Sequence, residues 1–144
     1  MELYSTKNPQ LRVSLKEAVF KGLPEDNGLY MPVEVPTLPP SFIANLEKYS
    51  FQEIAFTITQ SLFQGAMPDQ DIRELIENAI TFPAPVVSLK DGKQYILELF
   101  HGPSLAFKDF GARFMAQWRS YFTQGEDQQL AIRVATSGDT AGAG

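Results

Sequence analysis

Proline placement sets the strongest limit on how this sequence folds. Five prolines, at positions 24, 32, 36, 39 and 40, fall in "LPEDNGLYMPVEVPTLPP", and Pro83 and Pro85 fall in "FPAPVV". A proline removes a backbone donor, fixes its own φ and pushes the preceding residue toward extended geometry, so neither stretch continues a helix or fills the middle of a sheet. The first stretch is expected to be an extended connection without regular structure, ordered by packing of Leu29, Tyr30 and Met31. The second marks a boundary. Residues 1–83 are expected to form a mainly helical N-terminal domain, and residues 84–144 the beginning of an α/β domain.

Helical signals fill the space between the prolines. Ser14 and Glu17 have capping-box spacing before "LKEAVFK", and Gly22 is placed to stop that helix. Ser50 and Glu53 repeat the spacing, followed by Phe51, Ile54, Ala55, Ile58 and Leu62 on one helical face, with Gly65 as a stop. A third helix is expected from Pro68, turning Ile72, Leu75, Ile76, Ala79 and Ile80 inward and Arg73, Glu74, Glu77 and Asn78 outward.

Beyond Pro85 the pattern shortens to strands around 86–89 and 95–99 joined by "KDGK". A helix from about Leu105 to Phe122 and a strand from Leu130 to Ala135 follow, which reads as a right-handed parallel βαβ unit. The fold class is therefore α/β: a small helical N-terminal domain leading into a parallel-sheet domain. An Ile- and Val-rich strand running into "ATSGDTAGAG" needs sheet neighbours on both sides. A further C-terminal part of the same protein is expected to supply them, which makes the chain a fragment.

Composition removes several function classes. There is no cysteine and a single histidine, so thiolate chemistry is excluded and no metal site is expected. A net charge of -5 argues against nucleic acid and anionic membranes as partners. The N-terminus has no basic region followed by an apolar run, and no apolar segment approaches the about 20 residues that span a bilayer. A cytoplasmic location is expected.

Two stretches carry chemistry. In "FHGPSLAFKDFGARF" the aromatics Phe107, Phe110, Phe114, Trp118 and Tyr121 are explained by core packing at helical spacing. Lys108 among them is open to two readings. It is either a structural lysine whose stem lies on apolar surface, or an amine whose desolvation lowers its pKa so that it attacks a carbonyl. A nearby helix N-terminus favours the second state and attracts anions. In "ATSGDT", Ser137, Gly138 and Asp139 at a strand-to-helix turn have the ordinary explanation of a helix cap, with a carboxylate cradle at a strand end as the functional alternative.

The combination "LELFHGPSLAFKDFGARF" with "VATSGDTAGAG" resembles the threonine synthase family, pyridoxal-phosphate enzymes of fold type II. "YSTKN" and "PEDNGLYMP" are similar to that family's opening patterns Y-x-S-T-R and D-G-G-L-Y-x-P, with Lys7 and Asn27 as departures; Ala141 stands where many members have Gly. The resemblance implies conversion of O-phospho-L-homoserine and water to L-threonine and phosphate, the last step of threonine biosynthesis, with pyridoxal 5'-phosphate as cofactor. It implies that Lys108 is catalytic and carries the cofactor as a Schiff base. Ser137, Gly138 and Asp139 would lie beside the cofactor, and Ser104, Thr136, Ser137 and Thr140 would line the substrate, Ser104 near its phosphate. The cofactor-phosphate element would lie beyond Gly144, leaving this chain alone inactive. The rival readings are another fold type II enzyme, such as a phospho-lyase or a serine/threonine dehydratase, and a non-catalytic interaction fragment.

Overall fold

Ser14 begins the first helix as its spacing predicts. In the computed structural model, which describes residues 1–124 and 138–143, its hydroxyl accepts from the Glu17 N–H at 3.2 Å while the Glu17 carboxylate accepts from the Ser14 N–H at 2.9 Å. Helix α1 spans Leu15–Lys21 and stops at Gly22, whose φ of 73° suits a residue without Cβ. Two strands precede it, β1 at Glu2–Ser5 and β2 at Arg12–Ser14. A third, β3 at Tyr30–Pro32, pairs with β1 from the other side, giving an antiparallel sheet in the order β2-β1-β3. The proline-rich stretch thus has regular structure where none was expected. Pro32 ends an edge strand, where no ladder donor is required of it. Pro40 opens a short helix, α2, at Pro40–Ile43, a first-turn position that proline tolerates.

The sheet is locked to the following loop through Ser5, which is fully buried. Its hydroxyl donates to the Asp26 carboxylate, 2.7 Å from each oxygen, and Asp26 Oδ1 also accepts the Gly28 N–H at 2.9 Å. Between them Asn27 takes φ 58°, a left-handed conformation that asparagine and glycine adopt most readily. A Cβ built on Gly28 would overlap Ser5 Oγ. Thr6 and Leu29 exchange two more bonds, each of 2.9 Å. The "YST" and "DNGLY" stretches are therefore two halves of one lock.

Helix α3, Phe51–Leu62, carries the second capping box, Ser50 with Glu53. Helix α4, Asp69–Ala79, buries Ile72, Leu75, Ile76 and Ala79 and leaves Arg73, Glu74, Glu77 and Asn78 exposed. The Arg73 guanidinium lies 4.3 Å from the centre of the Phe56 ring, and Gln60 donates to Asp69 at 2.7 Å. In α3 the expected inward stripe is only partly covered: Thr59 is buried while Phe51 and Ile58 stay exposed.

The chain divides into two compact units, Met1–Ile76 and Glu77 onward. In the second, β4 (Val86–Ser88) and β5 (Tyr95–Leu97) form an antiparallel hairpin. Its turn is shaped by Asp91, whose Oδ1 accepts from the Lys93 and Gln94 N–H groups, and by Gly92 at φ 63°. Helices α5, Lys108–Thr123, and α6, Asp139–Ala143, pack together. The strand expected at 130–135, and with it the parallel pairing, lies outside the described residues. Among the described residues no helix is long and apolar enough to cross a membrane.

The lock titrates. The Ser5 hydroxyl first, then the Gly28 N–H, hold the Asp26 carboxyl below its ordinary value; Ser14 and Ser50 do the same for Glu17 and Glu53, chiefly through their backbone N–H groups. A folded value below the unfolded one gives stability that is complete above the unfolded pKa, about 4 for these carboxyls, and is lost as pH falls through the folded value. Thermal melts from pH 7 downward are expected to show falling Tm below about pH 4, with a shallower decline in Asp26→Asn; an unchanged decline would remove Asp26 from the account. Gly28→Ala is expected to destabilise by about 1–3 kcal/mol, measured by urea unfolding.

Candidate functional site

Helix α5 is anchored before its N-terminus can be used. Trp118 is buried among Phe114, Tyr121 and Phe122, with ring centroids 6.3, 6.5 and 5.6 Å away. One turn earlier Arg113 donates to the Ala79 and Asn78 carbonyls at 3.0 and 2.7 Å, satisfying acceptors at the end of α4. Phe82 packs on Phe110 at 4.7 Å between centroids. These contacts hold the body of α5; in its first turn Asp109 is buried and Phe110 packed, while Lys108 is exposed.

The helix begins at Lys108, three residues later than periodicity predicts, because Leu105 takes φ 58°. A left-handed conformation at a non-glycine residue costs about 1–2 kcal/mol, and the loop carries two features that hold it. Asp109, 1% exposed, accepts the Ser104 N–H on Oδ2 at 3.0 Å and the Ser104 hydroxyl on Oδ1 at 2.7 Å. The Leu105 N–H donates to the Gly102 carbonyl at 3.1 Å. Gly102 lies so close to the Asp109 side chain that an added Cβ would overlap Oδ2 and come within 2.7 Å of the Asp109 Cβ. Second position of a 16-residue helix is also where a carboxylate gains from the helix dipole.

Lys108 follows from this geometry. It is exposed, as are Leu105 and Phe107 beside it, and its amine makes no ion pair or hydrogen bond with any described residue. The apolar pocket of the second reading is not formed by the described residues, since the flanking Leu105 and Phe107 side chains are exposed. An accessible amine fixed to the end of an anchored helix nevertheless fits a group that must condense with an aldehyde.

The second motif comes to the same place. Gly138, Asp139 and Thr140 are exposed at the start of α6, and a Cβ on Gly142 would lie 3.6 Å from the Ser104 Cβ. The "GPS" loop and the residues after "TSG" are therefore neighbours, whereas the βαβ unit expected to carry them depends on a strand outside the described residues. Thr136 and Ser137 lie outside the described residues. Ser104 donates its proton inward to Asp109, so toward a ligand it offers lone pairs. Sequence reasoning missed Asp109, Gly102 and Arg113; a serine directly after a Gly-Pro pair and five residues before an aspartate was the available signal.

An open cleft of about 390 Å³ in the first unit, lined by Met1, Glu2, Val33 and Leu62 among others, contains none of these residues. Gly102→Ala is expected to force Asp109 outward, destabilise the chain by about 1–3 kcal/mol, and raise hydrogen exchange at the Ser104 amide; unchanged exchange there would contradict the close packing.

Comparisons with known proteins agree with this geometry. The sequence model of the family described as "Threonine synthase N terminus" matches residues 2–80. The chain is 41% identical to the threonine synthase of Haemophilus influenzae over 143 residues, which is 99% of this chain and 32% of that protein. The crystal structure of threonine synthase from Escherichia coli superimposes with a TM-score of 0.80 at 36% identity, covering 85% of this chain and 28% of that one. A pyridoxal-phosphate-bound threonine synthase from Brucella melitensis gives 0.77 at 32% identity, covering 86% and 28%. The chain thus spans about a third of the length of the curated relatives it matches. The family match over residues 2–80, with similarity along nearly the whole chain, shows that it belongs to the threonine synthase family and has the fold of that family's N-terminal portion.

Proposed function

We propose that the chain is the N-terminal third of a cytoplasmic threonine synthase, which converts O-phospho-L-homoserine and water to L-threonine and phosphate when joined to its C-terminal part. The observation that carries this reading is Lys108, exposed and without a partner among the described residues at the anchored end of α5, within a segment similar to threonine synthases throughout. Residues 84–144 would begin the cofactor-binding domain and residues 1–83 would form the N-terminal one.

In this reading Lys108 holds pyridoxal 5'-phosphate, Ser137, Gly138 and Asp139 lie along it, and Thr136, Ser137 and Thr140 receive the substrate carboxylate. Ser104, against α6, lines the substrate with an acceptor oxygen. Bound there, the cofactor supplies an electron sink for charge developing beside the amino-acid nitrogen. Lys108 first contributes its amine as the point of attachment. Free of that attachment, the same side chain would take protons from the substrate Cα and Cβ and return them to Cα and Cγ, held at a fixed place by its helix. In balance, one proton would leave Cα and one Cβ as the phosphate leaves from Cγ, Cγ would gain a proton to become the methyl group, water would place its hydroxyl on Cβ and give its remaining proton to the departing phosphate, and Cα would regain a proton.

The full-length protein containing this chain is expected to show the absorbance of lysine-bound cofactor and to release threonine and phosphate. Lys108→Ala should lose that absorbance and about two to four orders of magnitude in kcat. Normal turnover by the variant would overturn the assignment, and release of 2-oxobutyrate in place of threonine would move the protein to the dehydratases.

A further inference from the structure

We propose that Asp109 is a positioning residue for Lys108, acting through Ser104. This rests on the reading of Lys108 above, but its grounds are separate. The Asp109 carboxylate is buried, and the bonds it receives among the described residues both come from one residue, the Ser104 N–H and hydroxyl. No ion pair with a described cation accompanies it. A carboxylate is removed from water here to hold a loop, which needs charge-assisted hydrogen bonds to offset desolvation.

What it holds is the route into Lys108. The tie closes the turn from residue 104 to residue 109 across Leu105 at φ 58°, and the Asp109 N–H donates to the Ala106 carbonyl at 3.2 Å. Lys108 lies inside the tied segment, next to the pinned residue and first in its helix. Its backbone direction is set by the tie, whereas its side chain is bonded to no described residue. The tie also sets the polarity of Ser104. With its proton on Asp109, the hydroxyl accepts from a ligand; if Asp109 were an amide, the amide could donate to Ser104 Oγ and release the hydroxyl proton outward. Asp109 therefore fixes both the aim of the amine and the hydrogen-bonding sense of its neighbour.

Asp109→Asn, Ser104→Ala and Ser104→Thr in the full-length protein test this. The cofactor-free readout is reductive methylation by formaldehyde and cyanoborohydride, scoring Lys108 against the exposed hairpin-turn residues Lys90 and Lys93 within the same molecule. The labelling ratio of Lys108 is expected to change several-fold in Asp109→Asn and Ser104→Ala and to return in Ser104→Thr, which keeps the hydroxyl. With cofactor, the first two are expected to lose roughly tenfold or more in kcat with a smaller change in KM, the size expected of a small misplacement. A wild-type labelling ratio in Asp109→Asn, with the fold intact by circular dichroism, overturns the proposal. A changed ratio in a protein whose Lys108 never takes the cofactor upholds the tie and overturns the functional reading instead. Should Asp109→Asn fail to fold, the ratio in Ser104→Ala against Ser104→Thr decides.

Discussion

One buried carboxylate, that of Asp109, governs the segment that presents Lys108. Asp109 accepting from Ser104, together with the Leu105 N–H bond to the Gly102 carbonyl, holds Leu105 in its left-handed conformation and stops α5 from starting a turn earlier. Trp118 and Arg113 anchor the body of that helix, but an anchored helix presents a side chain accurately only if its first turn is fixed too. Packing supplies the platform and the carboxylate supplies the aim.

The first unit uses the same device for a structural end. There Asp26 accepts from the Ser5 hydroxyl, Gly28 lies where no Cβ fits, and Asn27 takes φ 58°. Around Asp109 the parts recur as Ser104, Gly102 and Leu105, also at φ 58°. Each time a serine proton is committed to an aspartate, a glycine allows the close approach, and one residue adopts a conformation that the bonds must maintain. The residue at the strained position differs: asparagine tolerates it, whereas leucine does not readily, so the Asp109 tie works against the larger cost.

Much of the helical structure was legible because its signals are local. Ser14 with Glu17 and Ser50 with Glu53 lie within one turn of each other, and the α4 stripe from Ile72 to Ala79 repeats at a fixed period. The sheet β2-β1-β3 was not, since its strands are three or four residues long and Tyr30 finds its partner Ser5 across a loop. Lys108 stood out by type and place, and the two motifs were expected to face one crevice, which the approach of Ser104 to Gly142 fits. Asp109 was hidden because "KDF" reads as helix interior; its role depends on Ser104, which is outside the helix. Choosing between the two readings of Lys108 required knowing which way Leu105 and Phe107 turn, and periodicity cannot supply that once the helix starts late.

The most direct measurement is where a reduced cofactor becomes attached. Borohydride treatment of the full-length protein loaded with pyridoxal phosphate, followed by peptide mapping, is predicted to place a stoichiometric pyridoxyl group on Lys108. A stoichiometric group on any other lysine would contradict the account.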